Sequence, residues 1–372
     1  MPWILTFVFA LVCLLPSYAM AQQEEEEIPL ETMSGKQIYL AFCARCHGED
    51  GKGQLPEDMI ENMEAPPPDL TDGYFSSREK RKDWQAVVAH GGGARGLSLS
   101  MPAWGEALSE QQIAETVEYM KTFVDQSKYP QGETNFFRGH YTAKAFTEQE
   151  ALVILSHQFK RENGITTSET KTVLYYANRF GTRFQYEAKL PLINSSGGIG
   201  NKFGIGDLEL ALKYAFFDNA KTLSIITVGV EAALPTGSET NGFGAGTVVA
   251  IPYVAAGQGI GNTLQLSTSA KLETPSDNKK GDPELRVGFL SMLTIPESKQ
   301  GFFPGVELFW KKNLAKSEYM LSVIPQVYWG ITARGHLALS LGAEVPVAGT
   351  KAFDGKIVAF FLWDFVDGGL WW

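Results

Sequence analysis

Two hydrophobic periods divide the chain. Near its start, apolar residues recur at helical spacing. Ser34 can cap a helix beginning at Gly35, whose apolar face carries Tyr39 and Phe42. Ser109-Glu110-Gln111-Gln112 fits a capping box, and Ile113, Val117, Met120 and Val124 then fall on one stripe of a final helix. From about Glu148 onward the period drops to two. In GDLELALKYAFF, Leu208, Leu210, Leu212, Tyr214 and Phe216 share one face, with Asp207, Glu209 and Lys213 on the other. RFQYEAKLPL sets Phe184, Tyr186, Ala188 and Leu190 against Arg183, Glu187 and Lys189, and NTLQLSTSAKLET and HLALSLGAEVPV repeat the alternation. Such alternation over 9–12 residues, many times over, predicts β-strands with one apolar and one polar face.

Strand length separates the two architectures that share this pattern. A soluble sandwich uses strands of about 5–6 residues, whereas a membrane-spanning barrel needs about 9–11, apolar outside and polar inside, with aromatic girdles. The length favours the barrel, and aromatics such as Tyr176, Phe184, Phe302, Trp329 and Phe361 cluster near strand ends. Short turns are expected near 179–182, 218–221, 259–262, 296–300 and 332–335. Longer connections are expected at 160–170, 193–205, 236–246 and 276–282, with a short exception near 314–316. The count comes to about twelve strands, an even number. The last, IVAFFLWDF at 357–365, puts Ile357, Ala359, Phe361, Trp363 and Phe365 on one face. Asp364, Asp367 and Gly368-Gly369 interrupt the alternation towards the terminal Trp372, so either the strand ends near Phe365 or the terminal insertion signal is atypical.

Composition adds an address. ILTFVFALVCLLP at 4–16, with Ala19-Met20-Ala21 in A-x-A spacing, reads as a secretory signal over residues 1–21. It lacks the usual basic start and is too short to span a membrane as a helix. Residues 22–29, containing QQEEEE, read as a solvated acidic tether. A net charge of −10 and no continuous basic stretch argue against nucleic acid as a partner. Cys13 lies inside the signal, where Ala10-Leu11-Val12 makes a poor lipobox. Cleavage leaves only Cys43 and Cys46, which make no disulfide framework, so their task is local.

Cys43-Ala44-Arg45-Cys46-His47 places two thiols and an imidazole within a turn and a half of helix. Covalent haem requires that set: the thiols add across the vinyl groups and the imidazole ligates iron. The alternatives are half a zinc site and a redox C-x-x-C. Zinc wants two further Cys or His ligands, and no second cysteine pair is present; a redox motif wants a βαβ setting. Met101, followed by Pro102 in the loop GLSLSMPAWGEALSE, is positioned to reach iron from the opposite face. Met59 and Met63 lie in a loop without that proline, and His90, before Gly91-Gly92-Gly93, is the rival imidazole.

On CARCHG at 43–48, PPPDLT at 66–71 and SMPAW at 100–104, residues 30–126 resemble a class I c-type cytochrome. The resemblance implies a small all-α domain with one covalently attached haem c. It implies Cys43 and Cys46 as thioether anchors, His47 as proximal iron ligand and Met101 as distal iron ligand. Two axial ligands leave iron no open position, which implies an electron carrier rather than a haem enzyme, so no catalytic residue is assigned. Through GIGDLELALKY, ALPTGSETNGFGAG and PYVAAGQGIGN, the region 148–372 resembles a family of outer-membrane channels associated with phenol degradation. The combined fold expected is thus an all-α cytochrome domain followed by an all-β transmembrane antiparallel barrel. This architecture resembles the fused cytochrome–porins of bacteria that oxidise iron outside the cell, which pair a shorter haem segment with a wider barrel. The implied partners are outer-membrane lipid, a periplasmic redox carrier and an external reductant such as Fe(II).

Size constrains how the two parts meet. Twelve strands tilted about 40° give a backbone diameter of roughly 24 Å. A globule of about 95 residues is roughly 30 Å across, so the haem domain is expected to cap the periplasmic mouth. The expected function is outer-membrane electron transfer; the alternative is a transport channel with a tethered periplasmic carrier. Residues 127–147 read as a linker, flexible over 127–133, with Phe136, Phe137 and Tyr141 docking near the barrel mouth. Glu187, Asp207, Glu209, Glu231, Glu273, Glu284, Glu307 and Glu344, with Arg183, Lys189, Lys213, Lys271, Arg286 and Lys311, are expected in the lumen. They either line a selective pore or form cross-strand salt bridges. His157 reads as an outward girdle residue, and no partner for His140 is identifiable.

Overall fold

The computed structural model describes residues 28–61, 63, 65–197, 200–294, 299–366 and 369–370. The expected signal over 1–21, residues 22–27 of the acidic stretch and the terminal tryptophans lie outside the described residues. Among the described residues, a 3-10 turn, Leu30–Thr32, comes first.

The helical domain then begins where its caps dictate. Ser34 and Gln37 form a reciprocal capping box, and Ser109 and Gln112 form a second. The first helix runs from Gly35–Ile38 through one π-helical turn, Tyr39–Cys43, into Ala44–His47. The last helix, Glu110–Lys121, buries Ile113, Val117 and Met120, the expected stripe. These two helices cross at Gly35, where a Cβ would stand 2.2 Å from the Glu115 carbonyl carbon, so only glycine permits the approach. Tyr39, Tyr119 and Phe123 seal the crossing with ring centroids 5.3–5.4 Å apart. Helices Gly73–Arg78 and Arg81–His90 complete the shell.

The second part is a closed antiparallel barrel. Its strands are β1 Glu150–Glu162, β2 Ile165–Phe180, β3 Phe184–Gly197, β4 Gly200–Ile205, β5 Leu208–Asn219, β6 Ser224–Leu234 and β7 Val249–Ile260. They continue as β8 Leu264–Pro275, β9 Glu284–Leu293, β10 Gly301–Asn313, β11 Tyr319–Gly330, β12 Leu337–Gly349 and β13 Gly355–Asp364. Except for β4 and β5, each pairs with its sequence neighbour, and β13 returns to β1 with Glu150 opposite Asp364. β4 and β5 both pair with β3 and act as one interrupted strand, giving twelve spanning strands, as expected. Asp207 sits at the interruption and accepts hydrogen bonds from Gly237 N (2.9 Å) and Ala245 N (2.7 Å), fastening the loop 235–248 instead of joining the lumen charges.

Outward positions are apolar and exposed on strand after strand, for example Val153, Leu155 and Phe159 on β1 and Leu339, Leu341, Val345 and Val347 on β12. His157 shares the outward face of β1 and bonds Thr170 Oγ1 across the strand at 2.8 Å. An aromatic girdle rings one end: Tyr176 stacks on Phe365 (5.6 Å), Phe180 on Phe184 (5.3 Å) and Phe302 on Trp329 (5.5 Å). Two expected long connections are strand instead. β1 and β2 pair to Glu162 opposite Ile165, turning through Asn163 (φ 51°) and Gly164 (φ 82°), and β3 and β4 pair to Gly197 opposite Gly200. The Asn-Gly pair at 163–164 takes the positive φ values that a two-residue hairpin matching the strand twist requires.

Candidate cofactor site and the filled lumen

One cavity of about 1000 Å³ in the helical domain gathers Cys43, Cys46, His47 and Met101. That is the upper end of the roughly 300–1,000 Å³ typical of cofactor pockets. The π-helical turn ends at Cys43 and the helix stops one residue after His47, at Gly48 (φ 76°). Tyr39 OH donates to the Gly48 carbonyl (2.7 Å) and Gly53 N to the His47 carbonyl (2.8 Å), which fixes the end of the motif. The loop carrying Met101 is held by Gly92 N donating to Met101 O (3.1 Å) and Met101 N donating to Ser98 O (3.3 Å). Gly92 makes that closeness possible, since a Cβ there would lie 2.2 Å from Ser98 O. Phe42, Leu70, Phe75, Trp84, Val87, Pro102 and Trp104 supply apolar walls, with Phe42–Trp104 and Phe75–Trp84 centroids 5.3 and 5.6 Å apart.

Met59 and Met63 also line this cavity, whereas His90 is exposed at the end of its helix and is absent from the lining. The two cysteines are free thiols, and burial next to Cys46 pushes Cys43 up to about 11. Burial lowers the His47 pKa, keeping its ring neutral at neutral pH with a lone pair for a metal. His47 Nδ1 is buried without a hydrogen-bond partner. Among the described residues, no group of three or more His, Cys, Asp or Glu side chains converges as a zinc site would. Two thiols, a neutral imidazole and a thioether around an apolar cavity fit haem.

The cavity's remaining wall belongs partly to the barrel. Lys299, in the β9–β10 connection, pairs closely with Glu79 and lies 3.8 Å from Asp83. Arg334, in the β11–β12 turn, donates to the Gly96 carbonyl, and Arg95 reaches Asp83 at 2.9 Å and Ala333 O at 3.5 Å. Arg78 lies 3.9 Å from Asp364. Burial alone would raise the Glu79 carboxyl, but Lys299 and Arg78 hold it down at about 2. Tyr74 OH donates to Gly181 O in the β2–β3 turn, so the helical domain caps the short-turn mouth, as size required.

Residues 127–133, expected to be flexible, are instead fastened to both parts. Arg183 donates to Ser127 O (2.8 Å), Gln131 N to Asp218 (3.1 Å), and Glu133 pairs with Arg81 (3.1 Å). Nor do Phe136, Phe137 and Tyr141 stop at the mouth. Residues 136–149 enter the lumen as a finger and touch an inward side of every spanning strand. Arg138 pairs with Glu150 of β1 and bonds Tyr175 of β2, and Glu148 N donates to Gln185 of β3 (2.5 Å). Lys213 of β5 donates to the Lys144 and Phe146 carbonyls, and Thr227 of β6 to the Ala145 carbonyl (2.6 Å). Phe136 and Thr142 fill space left by Gly257 of β7 and Gly288 of β9. Phe137 N donates to Gln265 of β8 (3.0 Å), and its ring meets Tyr328 of β11 at 4.6 Å. Glu307 of β10 accepts from the backbone of His140, Tyr141 and Thr142 at 2.5–3.0 Å. Tyr141 OH donates to Glu344 of β12 (2.5 Å), and His140 lies 5.2 Å from Phe360 of β13.

Beyond the finger remains a polar cavity of about 350 Å³. The cross-strand salt-bridge reading of the lumen charges holds: Lys189 meets Glu209 and Glu231, Lys271 meets Glu231 and Arg286 meets Glu273, with Lys189–Glu187 and Arg286–Glu284 added along single strands. Arg183 sits at the mouth on Asp218 instead (2.6 Å).

Fold and site define a helical domain with a cofactor-sized cavity joined to a closed barrel with an apolar outer face, and comparison with known proteins specifies the first part. Residues 31–120 match the family model described as Cytochrome C oxidase, cbb3-type, subunit III. These residues therefore form a cytochrome c domain, which implies a haem cofactor. A cbb3-type cytochrome c oxidase subunit, FixP, from Azorhizobium caulinodans is 36% identical over 89 residues, covering 24% of this chain and 26% of that one. The chain thus spans about a quarter of the length of that relative. The barrel is similar in fold to an outer-membrane channel from Pseudomonas putida F1, at 14% identity over 61% of this chain and 99% of that one, with a TM-score of 0.49. It is also similar to the KdgM porin, at 11% identity over 57% of this chain and 98% of that one, with a TM-score of 0.40.

Proposed function

We propose that the chain is an electron-transfer protein of the bacterial outer membrane. One haem, attached through Cys43 and Cys46 and ligated by His47 and Met101, exchanges electrons with a soluble carrier on the periplasmic side. The observation that carries this reading is the pairing of two enclosures. The four haem-binding side chains share one cavity at the barrel mouth, while residues 136–149 fill the lumen beneath it.

Bound haem supplies reversible one-electron chemistry. The chain's own residues set its terms: burial keeps His47 neutral, the Gly92 contact holds Met101 in place, and the aromatic walls exclude water. The apolar outer belt supports the membrane assignment, and the signal expected over 1–21 agrees with it. Both barrel termini lie at the cytochrome end, whereas the opposite end carries the long loop 235–248, which supports a periplasmic cytochrome. An outer-face reductant such as Fe(II) would have to pass the finger, so the carrier on the cytochrome side is the favoured partner.

Outer-membrane fractions separated on denaturing gels test this. Covalent haem is expected to co-migrate with the full chain, the purified holoprotein is expected to exchange electrons with a soluble c-type cytochrome, and proteoliposomes are expected to swell in sugars no faster than empty ones. Porin-like swelling, with no electron exchange with any soluble carrier, would replace this reading with the tethered transport channel.

A further inference from the structure

We infer that the barrel completes the haem site: Lys299 and Arg334, with Arg95 of the helical domain, form the cationic wall that holds the haem's carboxylate edge. The inference rests on the haem reading above.

Haem is an apolar disc with two carboxylates on one edge. An enclosure that fits it must be apolar around most of the disc and cationic at that edge, because a buried carboxylate is costly unless paired. The cavity has this asymmetry. Phe42, Leu70, Phe75, Trp84, Val87 and Pro102 line its apolar part, and among its charged lining Arg95 and Lys299 stand with Glu79 and Asp83, with Arg334 beside Gly96. Arg95, Lys299 and Arg334 all line the cavity, and two of the three come from barrel connections.

Their side chains are already oriented. Arg95 is set by Asp83 at 2.9 Å, Lys299 by Glu79 and Asp83, and Arg334 by the Gly96 carbonyl. A guanidinium carries five N–H donors in a planar fork, so it serves a carbonyl and a carboxylate together. The two other lining arginines are differently placed. Arg45 stands inside the attachment motif, and Arg78 lies between Glu79 (3.8 Å) and Asp364 (3.9 Å). Docking and cofactor environment are therefore one structure, and the barrel turns tune the haem as well as anchor its domain.

The test uses the full-length holoprotein in detergent. Wild type is compared with Lys299→Gln, Arg334→Gln, both together, the charge-keeping pair Lys299→Arg/Arg334→Lys, and Lys160→Gln at the far end of β1 as a control. Covalent haem and its absorption spectrum are expected to survive in all. The midpoint potential should fall in the Gln variants, because losing a nearby cation favours the ferric state, and fall further in the double variant. The carboxylate ionisation step in the potential–pH curve should move up, with proton affinity raised about tenfold. The charge-keeping pair should restore both, and Lys160→Gln should change neither. A purely structural docking role would loosen the domain without moving that ionisation step. An unchanged potential and pH profile in Arg334→Gln, with heat-modifiable migration showing the barrel folded, overturns the inference. Absence of covalent haem from the wild type overturns the haem reading itself and this inference with it, so the two failures are distinguishable.

Discussion

The cytochrome cavity and the barrel lumen are both enclosed spaces, and they are treated in opposite ways. The cavity is walled largely by apolar side chains and measures about 1000 Å³, and its thiols, imidazole and thioether line it. The lumen is walled by polar side chains, and the chain's own finger satisfies them. Glu307 alone accepts from three successive backbone N–H groups, and Lys213 donates to two backbone carbonyls. Buried backbone polar groups need partners, and an all-apolar lumen would have left the finger's groups without them. The comparison teaches that this barrel is built to be filled and this helical domain to be loaded. Polar lumen residues alone are therefore a poor sign of conduction.

The largest test of the contrast is removal of the attachment site. Cys43→Ala/Cys46→Ala is expected to abolish haem staining completely while leaving the barrel's heat-modifiable migration unchanged. Concerted loss of both would mean that the two enclosures are not separable. Next is the proposed distal ligand. Met101→Ala should lower the midpoint potential and remove the methionine–iron charge-transfer band, whereas Met59→Ala and Met63→Ala should retain both. The opposite pattern would move the ligand to the other methionines on the cavity wall.

Opening the lumen should have an intermediate effect. Glu307→Gln weakens a carboxylate that serves three backbone donors, at a cost of about 1–3 kcal/mol to finger docking. Gly288→Val places a side chain where Thr142 Oγ1 would be 2.5 Å from its Cβ. Planar-bilayer conductance, expected near zero in the wild type, should rise for Gly288→Val and more modestly for Glu307→Gln. Wild-type conductance at the level of the variants would show that the finger does not close the barrel.

The smallest effect concerns charge inside the helical domain. Lys121 is buried, with Nζ 3.9 Å above the Trp84 ring. Burial pulls its pKa down to about 8, against the pull of Glu133 and Glu79. Between about 8 and 10.5 the unfolded chain holds more protons at this site than the folded one, so stability rises with pH across that window. The full effect is on the order of 3 kcal/mol. Denaturant unfolding followed by Trp fluorescence should show the wild type gaining stability relative to Lys121→Met from pH 8 to 10.5. A pH-independent difference would mean that Lys121 titrates normally.

Much of this was legible along the sequence, because the relevant signals are local. The Ser34 and Ser109 caps, the C-x-x-C-H turn, the Met101 loop and the period-two strands each span a few residues; the caps and strands form as expected, and the turn and the loop line one cavity. The finger was not legible. Its partners are lumen side chains far along the chain, 165 residues away for Thr142 and Glu307, and its own composition resembles a linker. Inward-facing glycines at 257 and 288 were the available signal, since a strand facing open water has no need to leave such room. The hairpin at Asn163-Gly164 was missed for a simpler reason. Asn and Gly are common in loops of any length, and here they occupy the two positions that a tight strand reversal needs.

Sidedness of haem reduction tests the central claim most directly. In proteoliposomes with the holoprotein in one orientation, established by protease access to the cytochrome domain, a membrane-impermeant reductant is added to one face at a time and haem absorbance is followed by stopped flow. Rapid reduction is expected from the cytochrome face and none from the opposite face. Reduction from the opposite face at a comparable rate, in vesicles that remain sealed to a reporter dye, would contradict it.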